Sequence, residues 1–235
     1  MVVVFMISLP QKILIEKSVK DKLADFLVSM NLGKKCTIVC DPGIKEKIGE
    51  SILKLISEKF ETNILSPESI EISYLDTLKI DGDFAIGLGG GRIIDATKFL
   101  VKESGKEWIA FPTILSHDGV ISKGARLDQN GTKIAVDAKE PLGIVVDLDI
   151  VKGAPYRFLA AGAGDSISNL ASVEDWKLAD KNGKEKYRRM LGELSLMAAR
   201  AVTDHTDEIK NMDYHGMEMV FWSIMCSGFA MNIHG

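Results

Sequence analysis

The chain has no surplus of positive charge, no membrane-length apolar run and too few cysteines for a disulfide framework. Its 29 Lys and Arg against 33 Asp and Glu leave a net charge of -4. That removes nucleic-acid binding from the leading functions, although a local basic patch stays compatible with it. The run closest to a membrane span is "MEMVFWSIMCSGFAMNI" at 217–233, and Glu218, Ser223, Ser227 and Asn232 interrupt it. It reads as a buried core helix, not as membrane insertion. The N-terminal "MVVVFMISLP" lacks a basic n-region and is too short for a signal-peptide core, so it reads as a first strand. The cysteine count is odd, 3, with no ligand-like clustering. Cys36 and Cys40 flank "TIV" on an expected strand and read as small buried hydrophobes in a reducing, cytoplasmic protein.

What remains is an ordinary globular composition: 235 residues, 46% hydrophobic and 26% charged. That is one large domain or two small ones. The first half alternates helical and strand patterns. Val19, Leu23, Phe26, Leu27 and Met30 recur at helical spacing, with Ser18 and Asp21 in front as cap chemistry. "KKCTIVCDPG" reads as a buried strand. Ile44, Ile48, Ile52, Leu55, Ile56 and Phe60 form the next helical stripe, and "TNIL" a further strand. Ser66-Pro67 predicts a short helix. "DFAIGLGGG" is a strand entering a helix expected from about Arg92 to Lys102, and "EWIAFPT" is another strand. This rhythm predicts an α/β fold with a parallel sheet and helices on both faces. Asn130-Gly131 between two extended stretches predicts a hairpin, and "LGIVVDLD" one more buried strand. From about Ala154 the strand signal stops. Pro155 suits a helix start, Gly162 a helix end, and a second helix is expected near Asp165. Tyr187, Met190, Leu191, Leu194, Met197, Ala198 and Ala201 mark an amphipathic helix. The expected division is a Rossmann-like domain over 1–152 and an all-helical domain from 153 to 235.

"GLGGGRIIDATK", at 87–98, puts a glycine turn between a strand and a helix N-terminus. Free N–H groups and the helix dipole make such a place an anion site, and bare glycines allow a pyrophosphate to approach the backbone. Two usual signatures are missing. Arg92 stands where G-x-G-x-x-G has its last glycine, and no Lys-Ser or Lys-Thr follows as a Walker motif requires. Alone, the turn fits a sharp structural corner as well as a phosphate cradle. "FPTILSHDGVIS" then places Thr113, Ser116, His117, Asp118 and Ser122 in a polar loop after a buried strand, where open α/β sheets bind ligands. His117 beside Asp118 also fits a structural hydrogen-bond pair.

"GLGGGRIIDATK", "FPTILSHDGVIS", "PYRFLAAGAGDSISN" and "ASVEDWKLA", in this order, resemble the archaeal glycerol-1-phosphate dehydrogenases. That family shares a superfamily with glycerol dehydrogenase, iron-dependent alcohol dehydrogenases and dehydroquinate synthase. The resemblance implies NAD(P)H-dependent reduction of dihydroxyacetone phosphate to sn-glycerol 1-phosphate, the backbone of archaeal ether lipids. A Zn²⁺ would polarise the carbonyl. It assigns the pyrophosphate to Gly89, Gly90 and Gly91 and to the helix start through Arg92, Ile93, Ile94 and Asp95. Further dinucleotide contacts fall on Thr113, Ile114, Leu115, Ser116 and Ser122. Asp41 matches the adenosine-ribose position; its carboxylate favours NAD, and Lys45 or Lys47 could offset its repulsion of the 2′-phosphate of NADP, so both cofactors stay open. Asp118 matches a substrate contact. Asp165 matches a ligand of both metal and substrate, whereas its residue type alone fits a helix N-cap. Lys123 and Arg126 either hold the substrate phosphate or are solvated basic residues.

A catalytic zinc takes three protein ligands. Asp165 supplies one, and the resemblance places two histidines beyond residue 235. His205 and His215 match no family ligand, and His234 stands where relatives carry a small residue. The expectation is therefore that a further helical segment, in the same protein or as a separate chain, completes the metal site, and that the protein is a homo-oligomer. Rival readings are glycerol dehydrogenase, dehydroquinate synthase (against which "EDWKLA" argues), and a non-catalytic dinucleotide-binding fragment.

Overall fold

A computed structural model of the chain describes residues 9 to 234, with the side chain of His234 excepted. The strand expected in "MVVVFMISLP" lies largely outside the described residues. The elements run β1 (Lys12–Glu16), α1 (Leu23–Ser29), β2 (Lys35–Val39), α2 (Pro42–Ile44), a π turn (Lys45–Gly49), α3 (Glu50–Ile56), β3 (Glu61–Leu65), α4 (Ile72–Leu75), β4 (Phe84–Gly89), α5 (Gly91–Ser104) and β5 (Glu107–Pro112). A 3₁₀ turn (Asp118–Val120) precedes the hairpin β6 (Gly124–Gln129) and β7 (Thr132–Asp137), and β8 (Gly143–Asp147) follows. The rest is helical: α6 (Leu148–Lys152), α7 (Tyr156–Ile167), α8 (Asn169–Lys181), α9 (Arg189–Thr203), α10 (Thr206–Lys210) and α11 (Tyr214–His234).

Two compact units emerge. One holds Leu9–Ile114 and Lys123–Val151; the other holds Leu115–Ser122 together with 152–234. The polar loop after β5 thus groups with the helices.

In the first unit six parallel strands take the order β1-β8-β5-β4-β2-β3. Strand pleating sends alternate residues to opposite faces. On β4, Phe84, Ile86 and Leu88 join the core formed with Leu23 and Leu27 of α1 and Ile52 and Ile56 of α3. Gly87 points the other way, to α5, where a Cβ would come within 2.9 Å of the Thr97 hydroxyl. Glycine there lets α5 lie directly on the strand. The Asn130-Gly131 turn has φ of 52° and 76°, the left-handed pair that a two-residue hairpin requires.

Several local expectations are corrected. Ser18 and Asp21 do not cap α1, which begins at Leu23 after Lys22 with no side-chain cap bond; the Val19 N–H instead donates to Asp147 Oδ2 at 3.0 Å. Ser66-Pro67 starts no helix. The chain there stays extended because Ile70 accepts the Asp128 N–H at 3.1 Å and Glu71 bridges to Asp128, so α4 begins only at Ile72.

In the helical unit Gly162 does not end a helix. It sits buried in mid-α7, where a Cβ would fall 2.2 Å from the Leu115 carbonyl oxygen. Asp165 accordingly lies inside α7 and caps nothing, and α8 starts at Asn169. On α9 the buried face is Leu191, Ser195, Ala198, Ala199 and Val202, whereas Met190 and Met197 are 81% and 50% exposed; Tyr187 precedes the helix. The apolar stretch at 217–233 is α11, with Met217, Val220, Phe221 and Ile224 fully buried. Among the described residues no helix is long and apolar enough to cross a membrane.

Candidate functional site

In the α/β unit, chain direction locates the site. β2 has β3 on one side and β4 on the other. The chain steps from β2 to β3, then crosses back to β4 and continues through β5 and β8. The reversal makes the C-terminal ends of β2 and β4 a topological switch point, the crevice where open α/β sheets bind ligands. Asp41 follows β2 there, and Gly89-Gly90-Gly91 run from the last residue of β4 into the first of α5.

The glycines serve the fold as well as any ligand. A Cβ on Gly89 would meet Ile93 Cβ at 2.8 Å, and one on Gly90 would meet Ile114 Cδ1 at 2.9 Å. Gly90 is the extended N-cap of α5, and its carbonyl accepts the N–H groups of Ile93 and Ile94. The first N–H groups of a helix have no intrahelical acceptor, so those of Gly91 and Arg92 are the donors α5 offers at the switch point. Next door, the buried Thr113 donates its N–H to the Gly89 carbonyl at 3.0 Å, tying the loop after β5 to the turn. Ile93, Ile94 and Leu115 are buried, and Ile114 is half-buried.

Asp95 is committed elsewhere. Its carboxylate takes the Arg126 N–H at 3.1 Å and the Lys98 ammonium at 3.3 Å. Lys98 is fully buried and also donates to the Gly124 carbonyl at 2.7 Å. Together they fasten α5 to β6. Sequence reading missed Lys98, because a lysine at a helical position reads as solvated unless its partners are known. Asp41 is half-buried and caps α2, its Oδ1 accepting the Ile44 N–H at 3.0 Å. Lys45 and Lys47 are exposed on the π turn that follows, and Lys123 and Arg126 are exposed at the start of the hairpin. Burial raises the thiol pKa of Cys36, Cys40 and Cys226, so they are poor nucleophiles and poor metal ligands.

The helical unit brings the assigned acids together. The Asp118 main-chain N–H donates to Asp165 Oδ2 at 3.1 Å, across 47 residues of sequence. The half-buried Ser116 and Ser122 bracket this turn, and Ser122 N–H reaches the Asp118 carbonyl at 3.4 Å. His117 turns away from its neighbour: its Nδ1 accepts the Gly119 N–H at 2.9 Å, so it caps the 3₁₀ turn instead of pairing with Asp118. His205 and His215 stack edge-to-face at 5.0 Å, and His205 Nδ1 lies 2.9 Å from the Ala201 carbonyl. Among the described residues no three His, Cys, Asp or Glu side chains converge as a metal site; Asp165 stands there with Asp118 and no histidine. A cavity of about 450 Å³ lies among α8, α9 and α11, lined by Asn169, Val173, Trp176, Ser195, Ala230 and Met231 among others. It includes neither acid.

A switch-point glycine turn in a parallel sheet, followed in sequence by an all-helical part whose Asp165 accepts the Asp118 main-chain N–H, defines the class of two-part α/β-plus-helical proteins. Solved structures of that class superpose well. A probable glycerol dehydrogenase from Sinorhizobium meliloti matches with a TM-score of 0.80 at 22% identity, over 96% of this chain and 66% of that one. Glycerol dehydrogenase from Schizosaccharomyces pombe matches at 0.79 and 19%, over 98% of this chain and 62% of that one. These likenesses concern the fold. The model of the iron-containing alcohol dehydrogenases matches residues 14–155. Curated relatives named glycerol-1-phosphate dehydrogenase [NAD(P)+] are 35% identical in Thermococcus sibiricus, over 98% of this chain and 67% of the relative, and 33% in Pyrococcus furiosus, over 96% and 67%. The chain belongs to the iron-containing alcohol dehydrogenase family of oxidoreductases and spans about two thirds of the length of these curated relatives.

Proposed function

We propose that the chain carries the dinucleotide site and part of the substrate site of an NAD(P)H-dependent reductase acting on dihydroxyacetone phosphate. The product would be sn-glycerol 1-phosphate, for ether-lipid synthesis in an archaeal cytoplasm. The observation that carries this reading is the Asp118–Asp165 pair, bonded at 3.1 Å: the two residues that the resemblance assigns to substrate meet although they are distant in sequence. The names of the curated relatives support the same activity.

The switch-point geometry fits a dinucleotide. The donors at the start of α5, with the helix dipole, bind its pyrophosphate, and Asp41 receives the adenosine ribose. The resemblance assigns the remaining dinucleotide contacts to Thr113, Ile114, Leu115, Ser116 and Ser122. With Oδ1 already capping α2, the Asp41 carboxylate is held rigidly, which suits a ribose 2′-OH; the exposed Lys45 and Lys47 suit a 2′-phosphate. When bound, the dinucleotide supplies the hydride. Asp118 and Asp165, as hydrogen-bond acceptors, hold the hydroxyl end of the substrate in one orientation for reaction.

Zinc is the metal this reading calls for, and Asp165 is its assigned ligand. The described residues do not complete a zinc site, and its two histidines are assigned to sequence beyond residue 235, in the same polypeptide or in a separate helical chain. A homo-oligomer belongs to the same proposal.

The test uses the full-length natural protein. NAD(P)H absorbance should fall steadily with dihydroxyacetone phosphate and stay level with dihydroxyacetone. Equal consumption with both would make it a glycerol dehydrogenase. Binding of NAD(P)H without any turnover would make it a non-catalytic dinucleotide-binding protein.

A further inference from the structure

We propose that Ser227 is a positioning residue that holds the Asp118 carboxylate in its substrate-binding orientation. This rests on the reading of Asp118 as a substrate contact. The Asn169 amide nitrogen donates to the Ser166 carbonyl at 3.0 Å; a carbonyl only accepts, so the NH₂ end of the amide must face it. The same NH₂ group lies 3.2 Å from Ser227 Oγ, which therefore acts as acceptor. A hydroxyl has one proton, and the Ser227 proton is left to point at Asp118 Oδ2, 3.3 Å away. The chain Asn169 → Ser227 → Asp118 is thus directional. Ser227 is only 5% exposed, so water is a poor substitute partner.

The neighbours of Ser227 are shaped to the same end. A Cβ on Gly228 would fall 2.3 Å from Ile121 Cγ2 and 3.0 Å from the Asp118 carbonyl oxygen. Glycine at this place lets α11 lie directly against the Asp118–Ile121 turn. Farther along the helix, Asn232 donates to the Ile121 carbonyl at 3.2 Å. From the other side, Asp165 accepts the Asp118 N–H. The backbone of the turn is thus gripped by Asp165 and Asn232, and the Asp118 side chain by Ser227. A serine within a helix ordinarily bonds the carbonyl one turn earlier; Ser227 bonds across to the turn instead. The polar residues that interrupt the apolar run at 217–233 include two of the groups that hold this turn.

The experiment is steady-state kinetics of the full-length protein as a double-mutant cycle: unsubstituted, Ser227→Ala, Asp118→Ala and both. Loss of one hydrogen bond to a charged group corresponds to about a tenfold effect. Ser227→Ala should raise KM for dihydroxyacetone phosphate about tenfold while KM for NAD(P)H stays unchanged, and this effect should vanish in the Asp118→Ala background. Asn169→Leu, on a different helix, should give the same split to a smaller extent and the same dependence on Asp118. An undiminished effect in the Asp118→Ala background, or equal loss for substrate and cofactor, would overturn the proposal. Absence of turnover in the unsubstituted protein would instead sink the functional reading. The Ser227–Asp118 coupling is then read from denaturant midpoints of the same four proteins, where additive shifts overturn it and non-additive shifts uphold it.

Discussion

Asp165 divides the two tasks of the chain. Its carboxylate accepts the Asp118 main-chain N–H in the helical unit, while the glycine turn and Asp41, assigned to the dinucleotide, lie at the switch point of the α/β unit. Asp165→Asn should abolish metal binding and turnover in the full-length protein yet leave the NADH-induced thermal shift within about a fifth of its original value, as checked by metal analysis and melting. Loss of the thermal shift would reverse these roles. A second residue sets acid stability. Asp83 Oδ2 accepts the N–H groups of Lys34 and Lys35 at 2.8 and 2.9 Å. The Lys35 N–H first, then that of Lys34, hold its pKa below the ordinary 3.8. A carboxyl depressed in the folded state stabilises the protein above the unfolded pKa and loses that contribution as pH falls through the folded pKa. Asp83→Asn should therefore lower the denaturant midpoint at pH 6, and the gap from the unsubstituted protein should close as pH falls below 3.8 and through the depressed folded pKa. A gap that persists in acid would show that the side chain acts through shape alone. Lys98 is intelligible only with β6 and Asp95 beside it.

Within α7 two glycines make opposite demands. Helix propensity favours alanine over glycine by about 1 kcal/mol at either position. At Gly162 the added Cβ would lie 2.2 Å from the Leu115 carbonyl oxygen, a main-chain atom, whereas at Gly164 nothing lies within 4 Å. Overpacking of this kind costs about 1–3 kcal/mol and outweighs propensity. Gly162→Ala should lower Tm and loosen the Leu115–Ser122 turn, and Gly164→Ala should raise Tm by a few degrees, both read by differential scanning calorimetry. Equal shifts would remove the close approach as the reason for Gly162. The same approach explains why the sequence reading ended a helix at Gly162: a glycine late in an apolar stretch looks like a C-cap, and nothing local reveals that it faces another backbone. The central strands, by contrast, were legible within a residue or two, because buried parallel strands are short apolar runs closed by turn residues, but the half-buried edge strand β1 (Lys12–Glu16) was not read as a strand. The α9 face was misjudged for a different reason. Methionine counts as apolar in any periodicity, and Met190 and Met197 are exposed in this chain.

For the whole molecule, ligand binding reports on the fold. A dinucleotide at about a hundred times its Kd adds about 2.7 kcal/mol to stability. For a chain of this size that raises Tm by about 5–10 °C. NADH or NADPH should produce this shift and adenosine alone a smaller one; no shift with either would leave the switch-point turn a purely structural corner. Much was determined by sequence alone: the alternating α/β half, the helical remainder, the Asn130-Gly131 hairpin and the position of the glycine turn. These follow from periodicity and backbone stereochemistry, which act over a few residues. Tertiary structure decided what each charged or polar group was for. The order of strands made the ends of β2 and β4 a switch point, while side-chain packing buried Lys98 against Asp95, set Asp165 opposite the Asp118 N–H, and turned Ser227 from an interruption of an apolar run into a partner of that turn. The physical reason is range: periodicity is written between neighbours, whereas a hydrogen bond between residues 47 or 109 positions apart exists only after packing has brought them together.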